Sequence, residues 1–411
     1  MLSAAQWHLI SPQSSKPNMA IVQDSLLGAY KMTQGIKKIS KSHFFNIVDK
    51  IELKEPVLRR IQHVRRILKE KGKKIQCFTG KGLFSMFLPN DLIYEKKNGI
   101  DPDEPVVKIW RGVLYEGTLN KAILGATHNS LIQVINKEYG AEAAAHFIDC
   151  VQFVTNNWLL IRGFTVGLGD CLVTSTKKQQ EIQDVIKKYY IEADGVKTTT
   201  THPHIREMRV NAALNKAKDI GLRIAKGSLH KDNNFLSTVQ SGSKGAVFNI
   251  AQITGLLGQQ NLKGKRVPLF LNHGRRTLPH YPFGKLPPEM EYESRGFIAS
   301  SFIKGLNPRE FYFHAMSGRE GISDTAMGTA TSGYMQRKIV KLTEDIKIQY
   351  DGTARDIPGH IYQVAYGESG IDPCHTVRVN GKQEICDISR IVNRLNMKHE
   401  LKSKRSGRRS K

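Results

Sequence analysis

Apolar residues recur at helical spacing through residues 141–160, with Ala145, Ile148, Phe153 and Leu160 among them, and the pattern predicts a helix. Residues 177–193 and 205–226 are periodic in the same way but more charged, and they predict two further helices. The run A-D-G-V-K-T-T-T-T-H-P-H at 193–204 separates them, so the pair reads as an antiparallel hairpin. Its cations Arg206, Arg209, Lys216, Lys218, Arg223 and Lys226 read as a solvated face. Residues 106–115 have strand character instead. The longest predicted helix starts at Asn307, a good N-cap, with Pro308 at the first helical position and Glu310 where a capping box wants a carboxylate. Running to Lys341, it would be about 50 Å long at roughly 1.5 Å per residue.

That helix carries Gly318, Gly321, Gly328 and Gly333 in its interior. At roughly 1 kcal/mol each relative to Ala, they cost about 4 kcal/mol of helix propensity. Stability alone does not select them; they suit a helix that bends or lets something large lie against its backbone. Thr325, Ala326, Thr329, Ala330 and Gly333 keep the C-terminal half low, Tyr334 offers a flat ring, and Arg337 and Lys338 add positive charge. Two readings stand side by side. One is a buried helix packed through small residues. The other is a shelf for nucleic acid, where bases stack and phosphates pair with cations.

Charge favours the second reading. The 411 residues carry a net charge of +25, which points to a polyanionic partner, nucleic acid rather than membrane. A hydrophobic content of 40% fits a globular chain, with length for two or three domains. No run of about 20 apolar residues predicts a spanning helix, and the N-terminus has no signal pattern. The cysteines, Cys77, Cys150, Cys171, Cys374 and Cys386, are odd in number, widely spaced and free of C-x-x-C. Neither a zinc site nor a disulfide framework is expected, and a reducing, intracellular setting is. His202 and His204 flank Pro203 in what reads as a solvated loop. The basic segment 398–411 has almost nothing apolar and reads as disordered.

Four motifs in order carry a resemblance. They are S-P-Q-S-S-K-P-N-M-A-I-V-Q-D-S-L at 11–26, G-F-T-V-G-L-G-D at 163–170, and S-G-S-K-G-A-V-F-N-I-A-Q at 241–252 followed by G-Q-Q-N-L-K-G-K-R at 258–266. The fourth joins F-Y-F-H-A-M-S-G-R-E-G at 311–321 to T-A-M-G-T-A-T-S-G-Y at 325–334. Together they resemble the middle of the largest subunit of multisubunit DNA-dependent RNA polymerases, and the likeness covers about residues 7–375. It implies a helix-rich α+β fold with a pore region at 1–162, a funnel with a helical hairpin at 163–306, a bridge helix at 307–345, the start of the cleft region at 346–397, and the tail at 398–411. By this likeness Thr329, Ala330 and Tyr334 lie beside the template base pair at the growing RNA end, with Gly328, Arg337 and Lys338 as further contacts. Lys244, Gln252, Gln259, Gln260, Arg266 and Glu320 would line the pore through which nucleotides enter. The implied partners are template DNA, RNA, nucleoside triphosphates and other polymerase subunits, including the second-largest. Residues 274–297 resemble the polymerases of large DNA viruses in particular, so the expected setting is the host cytoplasm or virion, or the nucleus for a cellular enzyme.

One part of the family pattern is missing. Nucleotide addition needs two Mg²⁺ ions held by carboxylates, and the family's N-A-D-F-D-G-D does not occur. The nearest cluster, Asp101, Asp103 and Glu104 in D-P-D-E-P, lacks the glycine and reads as a surface turn. The expectation is therefore no catalytic or metal-binding residue in this chain. Mg²⁺ is bound by a partner chain carrying the aspartates, and the trigger loop also lies elsewhere. The chain reads as a component of a split largest subunit, inactive alone; the alternative is a non-catalytic nucleic-acid-binding fragment of such a subunit. A start at Met1 would leave residues 7–10 and 21–27 uncovered, so low solubility without that partner is expected.

Overall fold

The computed structural model describes residues 3–406, apart from 54, 73–76, 100–103, 173–175, 231, 369, 371, 373, 375, 380–381 and 385–387. Most of its buried apolar residues fall into three clusters, and the fold is helix-rich α+β. The first cluster runs from Leu9 to Trp158. It includes a three-stranded antiparallel sheet, β1 (Tyr94–Lys97), β2 (Val106–Trp110) and β3 (Val113–Glu116). The strand expected at 106–115 is thus a hairpin, with Trp110 paired to Val113 across Arg111 and Gly112. Both turn residues have positive φ, 48° and 69°, as a tight two-residue turn requires. A Cβ on Gly112 would sit 2.1 Å from the carbonyl oxygen of Pro89, so only glycine fits.

The Ala141–Arg162 helix buries a different face from the one expected. Ala144, Phe147, Cys150, Val151, Val154 and Trp158 enter the core. Ala145 and Ile148 only touch it, while Phe153 and Leu160 are 58% and 83% exposed. The helix is apolar on more than one side, so its own period cannot select the buried face. The neighbouring helices Gln23–Thr33 and Leu131–Tyr139 select it.

The N-terminal apolar residues are covered by this chain itself. Leu9, Ile10, Ile21, Leu26 and Leu27 are buried, and only Trp7 and Val22 stand clear. Backbone bonds hold the segment down, from Asn18 N to Leu9 O at 2.8 Å and from Ile21 N to Leu124 O at 3.2 Å. The physical basis for expecting low solubility from these residues therefore falls away.

The second cluster is the seam of the predicted helical hairpin, whose helices are Thr176–Thr199 and Pro203–Ser228. Ile182, Ile186, Tyr190 and Ala193 face Val210, Ala213, Leu214 and Ala217, with Leu256, Tyr292 and Phe297 packed beside them. The connection is far shorter than the expected loop, because Asp194 to Thr199 remain helical. Lys197 pairs with Asp194 at 3.0 Å and with Glu291 at 2.7 Å, and Pro203 opens the second helix directly after His202. His202 and His204 are exposed, at a helix start rather than in a loop. Of the cations read as a solvated face, Lys218 is the exception; it is half-buried, 4.1 Å from the Phe248 ring centroid.

The third cluster, Val267, Leu278, Tyr281 and Phe313, roots the long helix Pro308–Thr343. Short strands surround that root. β4 (Gly258–Gln259) and β5 (Asn261–Leu262) are followed by β6 (Lys265–Arg266) and β7 (Phe297–Ile298), with β4 paired to β7 and β5 to β6. Beyond the long helix, β8 (Lys347–Ile348), β9 (Ala354–Arg355) and β10 (Ile361–Gln363) form a small antiparallel sheet. The helix Ile388–Ser406 then returns to the first cluster, with Lys398 Nζ 2.9 Å from Asp91 and Arg394 donating to Glu138 O at 2.7 Å. Disorder from residue 398 is thus corrected as far as Ser406. Lys, Glu, Leu and Arg are strong helix formers, and here they extend a helix already nucleated upstream. Residues 407–411 lie outside those described.

Candidate nucleic-acid interface

The long helix begins as its sequence dictates. Glu310 N donates to Asn307 Oδ1 at 2.8 Å, and Asn307 N donates to Glu310 Oε2 at 3.1 Å, a reciprocal capping box with Pro308 behind it. Its first three turns are anchored. Phe313 is buried against Tyr281, with ring centroids 6.3 Å apart, Arg309 pairs with Glu293 at 3.0 Å, and Ser317 Oγ donates to Asn261 O at 3.3 Å. Glu320 makes the last such contact, accepting from Lys263 N at 2.5 Å.

After that the helix leaves the body of the protein. Every residue from 321 to 345 is exposed, and the helical part of that stretch, ending at Thr343, is roughly 34 Å long at 1.5 Å per residue. A Cβ added to Gly318, Gly321, Gly328 or Gly333 would meet nothing within 4 Å. The reading as a buried helix packed through small residues is therefore excluded within this chain. Threonine hydroxyls turn inward instead, Thr325 Oγ1 donating to Gly321 O and Thr329 Oγ1 to Ala326 O, each at 2.8 Å. Ile322, Met327, Tyr334, Met335 and Leu342 stand in solvent, as do Ile348, Tyr350 and Val364 beyond the helix. So much uncovered apolar surface on one projecting element marks an interaction site.

At about 100° per residue, the candidates Thr329, Ala330, Tyr334, Arg337 and Lys338 share one stripe with Gly333. Lys338 Nζ sits 4.1 Å from the Tyr334 ring centroid, so ring and charge form one unit. Gly328 lies on the opposite side of the helix. It does not belong to that stripe.

The second candidate group divides by burial. Lys244 is exposed, Gln252 half-buried on the helix Val247–Thr254, and Glu320 half-buried at the edge of the root. Gln259, Gln260 and Arg266 are buried. Gln259 Nε2 donates to the carbonyls of Gln260 at 2.7 Å and Arg295 at 2.9 Å, and Gln260 Oε1 lies 3.3 Å from His314 Nδ1. Arg266 grips Glu207 through Nε at 2.8 Å and Nη2 at 2.7 Å, and Arg295 Nη2 reaches the same carboxylate at 2.9 Å. Burial pushes the Glu207 carboxyl up, but the two guanidinium groups more than offset it and hold it below the usual carboxylate range. Arg266 braces the hairpin through Glu207, Gln260 reaches the root of the long helix at His314, and all three residues are enclosed within this chain. The sequence reading passed over Glu207; its signal was one acid between Arg206 and Arg209 on an otherwise basic face.

Among the described residues, no group of three His, Cys, Asp or Glu side chains is placed to hold a metal ion. Glu104 is bound by the buried Lys81 at 2.7 Å rather than free in a turn, and Asp101 and Asp103 lie outside the described residues.

Comparison with known proteins identifies what this architecture is. Residues 8–171 match the family described as RNA polymerase Rpb1, domain 3; residues 192–298 match domain 4, and residues 305–393 match domain 5. The chain is 45% identical over 425 residues to the probable DNA-directed RNA polymerase II subunit RPB1 homolog of Invertebrate iridescent virus 6. That match takes in 97% of this chain and 40% of the relative, so the chain spans well under half of the relative's length. With three successive domains matched in order and this identity carried across nearly its whole length, the chain belongs to the Rpb1 family, the largest subunits of DNA-directed RNA polymerases.

Proposed function

We propose that this chain is a component of a DNA-directed RNA polymerase, providing pore, funnel and bridge helix to an assembly that transcribes DNA from four ribonucleoside triphosphates. One observation carries the reading: a capped helix projects from the body for residues 321–343, uncovered on every side, with a stripe of small, aromatic and cationic residues along it. In the assembly Thr329 and Ala330 give the template base room to lie against the backbone. Tyr334 stacks, and Arg337 and Lys338 pair with phosphate. Lys244, Gln252 and Glu320 remain reachable from the funnel side, where nucleotides would pass. The uncovered apolar residues of the helix and the sheet beyond it accept other subunits, the second-largest among them.

Two Mg²⁺ ions supply the phosphoryl-transfer chemistry in such enzymes, and the described residues do not fit them. The aspartates that hold them would come from elsewhere in the assembly. No helix of the described residues is long and apolar enough to cross a membrane. The assembly is placed inside the cell or virion, where the DNA is transcribed.

The 411-residue chain incubated with template, primer, four nucleotides and Mg²⁺ should give no template-directed extension. Extension should appear when the chain bearing the metal aspartates and the remaining subunits are added. Extension by the chain alone would overturn the assignment of the metal to a partner. An assembly that extends primers equally well without this chain would leave only the nucleic-acid-binding fragment.

Phosphate contact has its own signature. Arg337→Gln or Lys338→Gln in the assembly should weaken template binding to a similar degree across sequences and lower the salt slope by about one unit per lost contact. A loss confined to particular sequences would show base readout instead.

A further inference from the structure

Away from the long helix, three cations converge on one cavity with no carboxylate in its wall. The cavity, about 540 Å³, lies between the Gln23–Thr33 helix, the C-terminal end of Ala141–Arg162 and the start of Asn234–Ser241. Lys31, Lys37 and Arg162 supply the charge, Trp158 and Phe164 supply flat apolar walls, and Asn234 adds a polar edge. Lys31 is held in place. Its Nζ donates to Asn234 Oδ1 at 3.0 Å, lies 3.5 Å from Ser237 Oγ, and sits 5.9 Å from the Phe164 ring centroid.

Among the described residues none of the three cations has an ion-pair partner. Asp170 and Asp232 favour the charge on Lys31 from a distance, but neither lines the cavity. Asp170 is already committed, accepting from Gly167 N and Asn234 N at 3.0 Å each. Burial, reinforced by Lys37 and Arg162, pushes the Lys31 ammonium below the ordinary lysine range. Like charges around one space repel each other, and the two aspartates offset this only from outside the cavity. A multivalent anion seated among them removes that repulsion and accepts charge-assisted hydrogen bonds from all three. A carboxylate brings two oxygens and one charge. A terminal phosphate group brings three oxygens and nearly two charges, and so matches three donors; a backbone diester brings two free oxygens and one charge per phosphate, and matches the three cations only through successive phosphates.

We propose that this cavity binds a phosphate-bearing ligand, with the phosphate oxygens among Lys31, Lys37 and Arg162 and the rest of the ligand against Trp158 and Phe164. The inference stands apart from the polymerase reading, since it uses none of the residues on the long helix.

Calorimetric titration of the full chain with sodium tripolyphosphate, and separately with a short single-stranded oligonucleotide at matched ionic strength, tests it. Lys37→Gln and Arg162→Gln should each weaken the responsive probe about tenfold, as expected for losing one charged hydrogen-bond donor. Arg162→Lys should keep most of the affinity. Both positions reach solvent, and circular dichroism would check that the variants remain folded. Loss with tripolyphosphate alone assigns the cavity to a free polyphosphate compound; loss with the oligonucleotide alone assigns it to nucleic-acid backbone; loss with both shows phosphate recognition common to the two sources. If neither probe binds, or both bind the glutamine variants as tightly as the original chain, the proposal is wrong.

Discussion

Thr329→Trp and Ala330→Trp should each reduce single-nucleotide addition by the assembled polymerase by a factor of 100 or more, about 3 kcal/mol of activation free energy. The reason is steric and one-sided. Both positions are exposed on a helix with no neighbour from this chain, so the indole costs the fold nothing. It fills the shelf on which the template base is proposed to rest. Ser332→Trp is the control. It is equally exposed, but lies about 150° round the helix from the centre of the stripe, and it should leave the rate within a few-fold of the original. Single-turnover kinetics on a reconstituted elongation complex, with subunit composition checked by mass, decides the matter. Normal addition by both shelf variants, or equal loss in all three, would remove the shelf from the mechanism.

Glu207→Ala should destabilise the chain by about 1–2 kcal/mol, below the scale for removing one member of a fully buried ion pair, because the Glu207 side chain is 34% exposed and partly screened by water. Arg266 has a side chain only 5% exposed, and without Glu207 it would face Arg295 with no counter-charge between them. Thermal unfolding should show the loss as a midpoint lower by several degrees. Glu207→Gln should cost less, because the amide oxygen still accepts a hydrogen bond. The pH dependence has a definite sign. The folded carboxyl titrates below its unfolded value of about 4.3, so the stabilisation is complete above that value and disappears as pH falls through the lower, folded one. The gap between the original chain and Glu207→Gln should be open at pH 7 and narrow progressively as the pH falls below about 4. A constant gap across that range would show that the glutamate acts through shape and not charge.

The hairpin shows how far local reasoning reaches. Its two helices were legible from periodicity, yet the connection was drawn too long because Asp194 and Gly195 read as turn residues. In the fold Asp194 accepts from Tyr292 at 2.6 Å and pairs with Lys197, and these contacts keep the segment helical. The brace shows the opposite limit. Gln259, Gln260 and Arg266 were grouped by motif with Lys244, Gln252 and Glu320, as if all faced one passage. Adjacent strand residues divide between surface and interior, and only the packing of the hairpin against the strands β4 to β7 shows which are enclosed.

By itself the sequence determined the capped start and helical course of Pro308–Thr343, the paired helices of the hairpin, the strongly basic charge and the family. Each rests on terms that act within about four residues, or on identity read position by position. The reciprocal bonds of Asn307 and Glu310 span three residues. Tertiary structure alone decided which face of Ala141–Arg162 is buried and that Leu9, Ile21 and Leu26 are covered without a partner. It also showed that residues 321–345 stand free. Burial depends on elements distant in the chain: Glu207 meets Arg266 across 59 residues and Arg295 across 88. Local propensity and capping carry no information about such partners, because the free energy of burying a face belongs to the pair of surfaces and not to either segment alone.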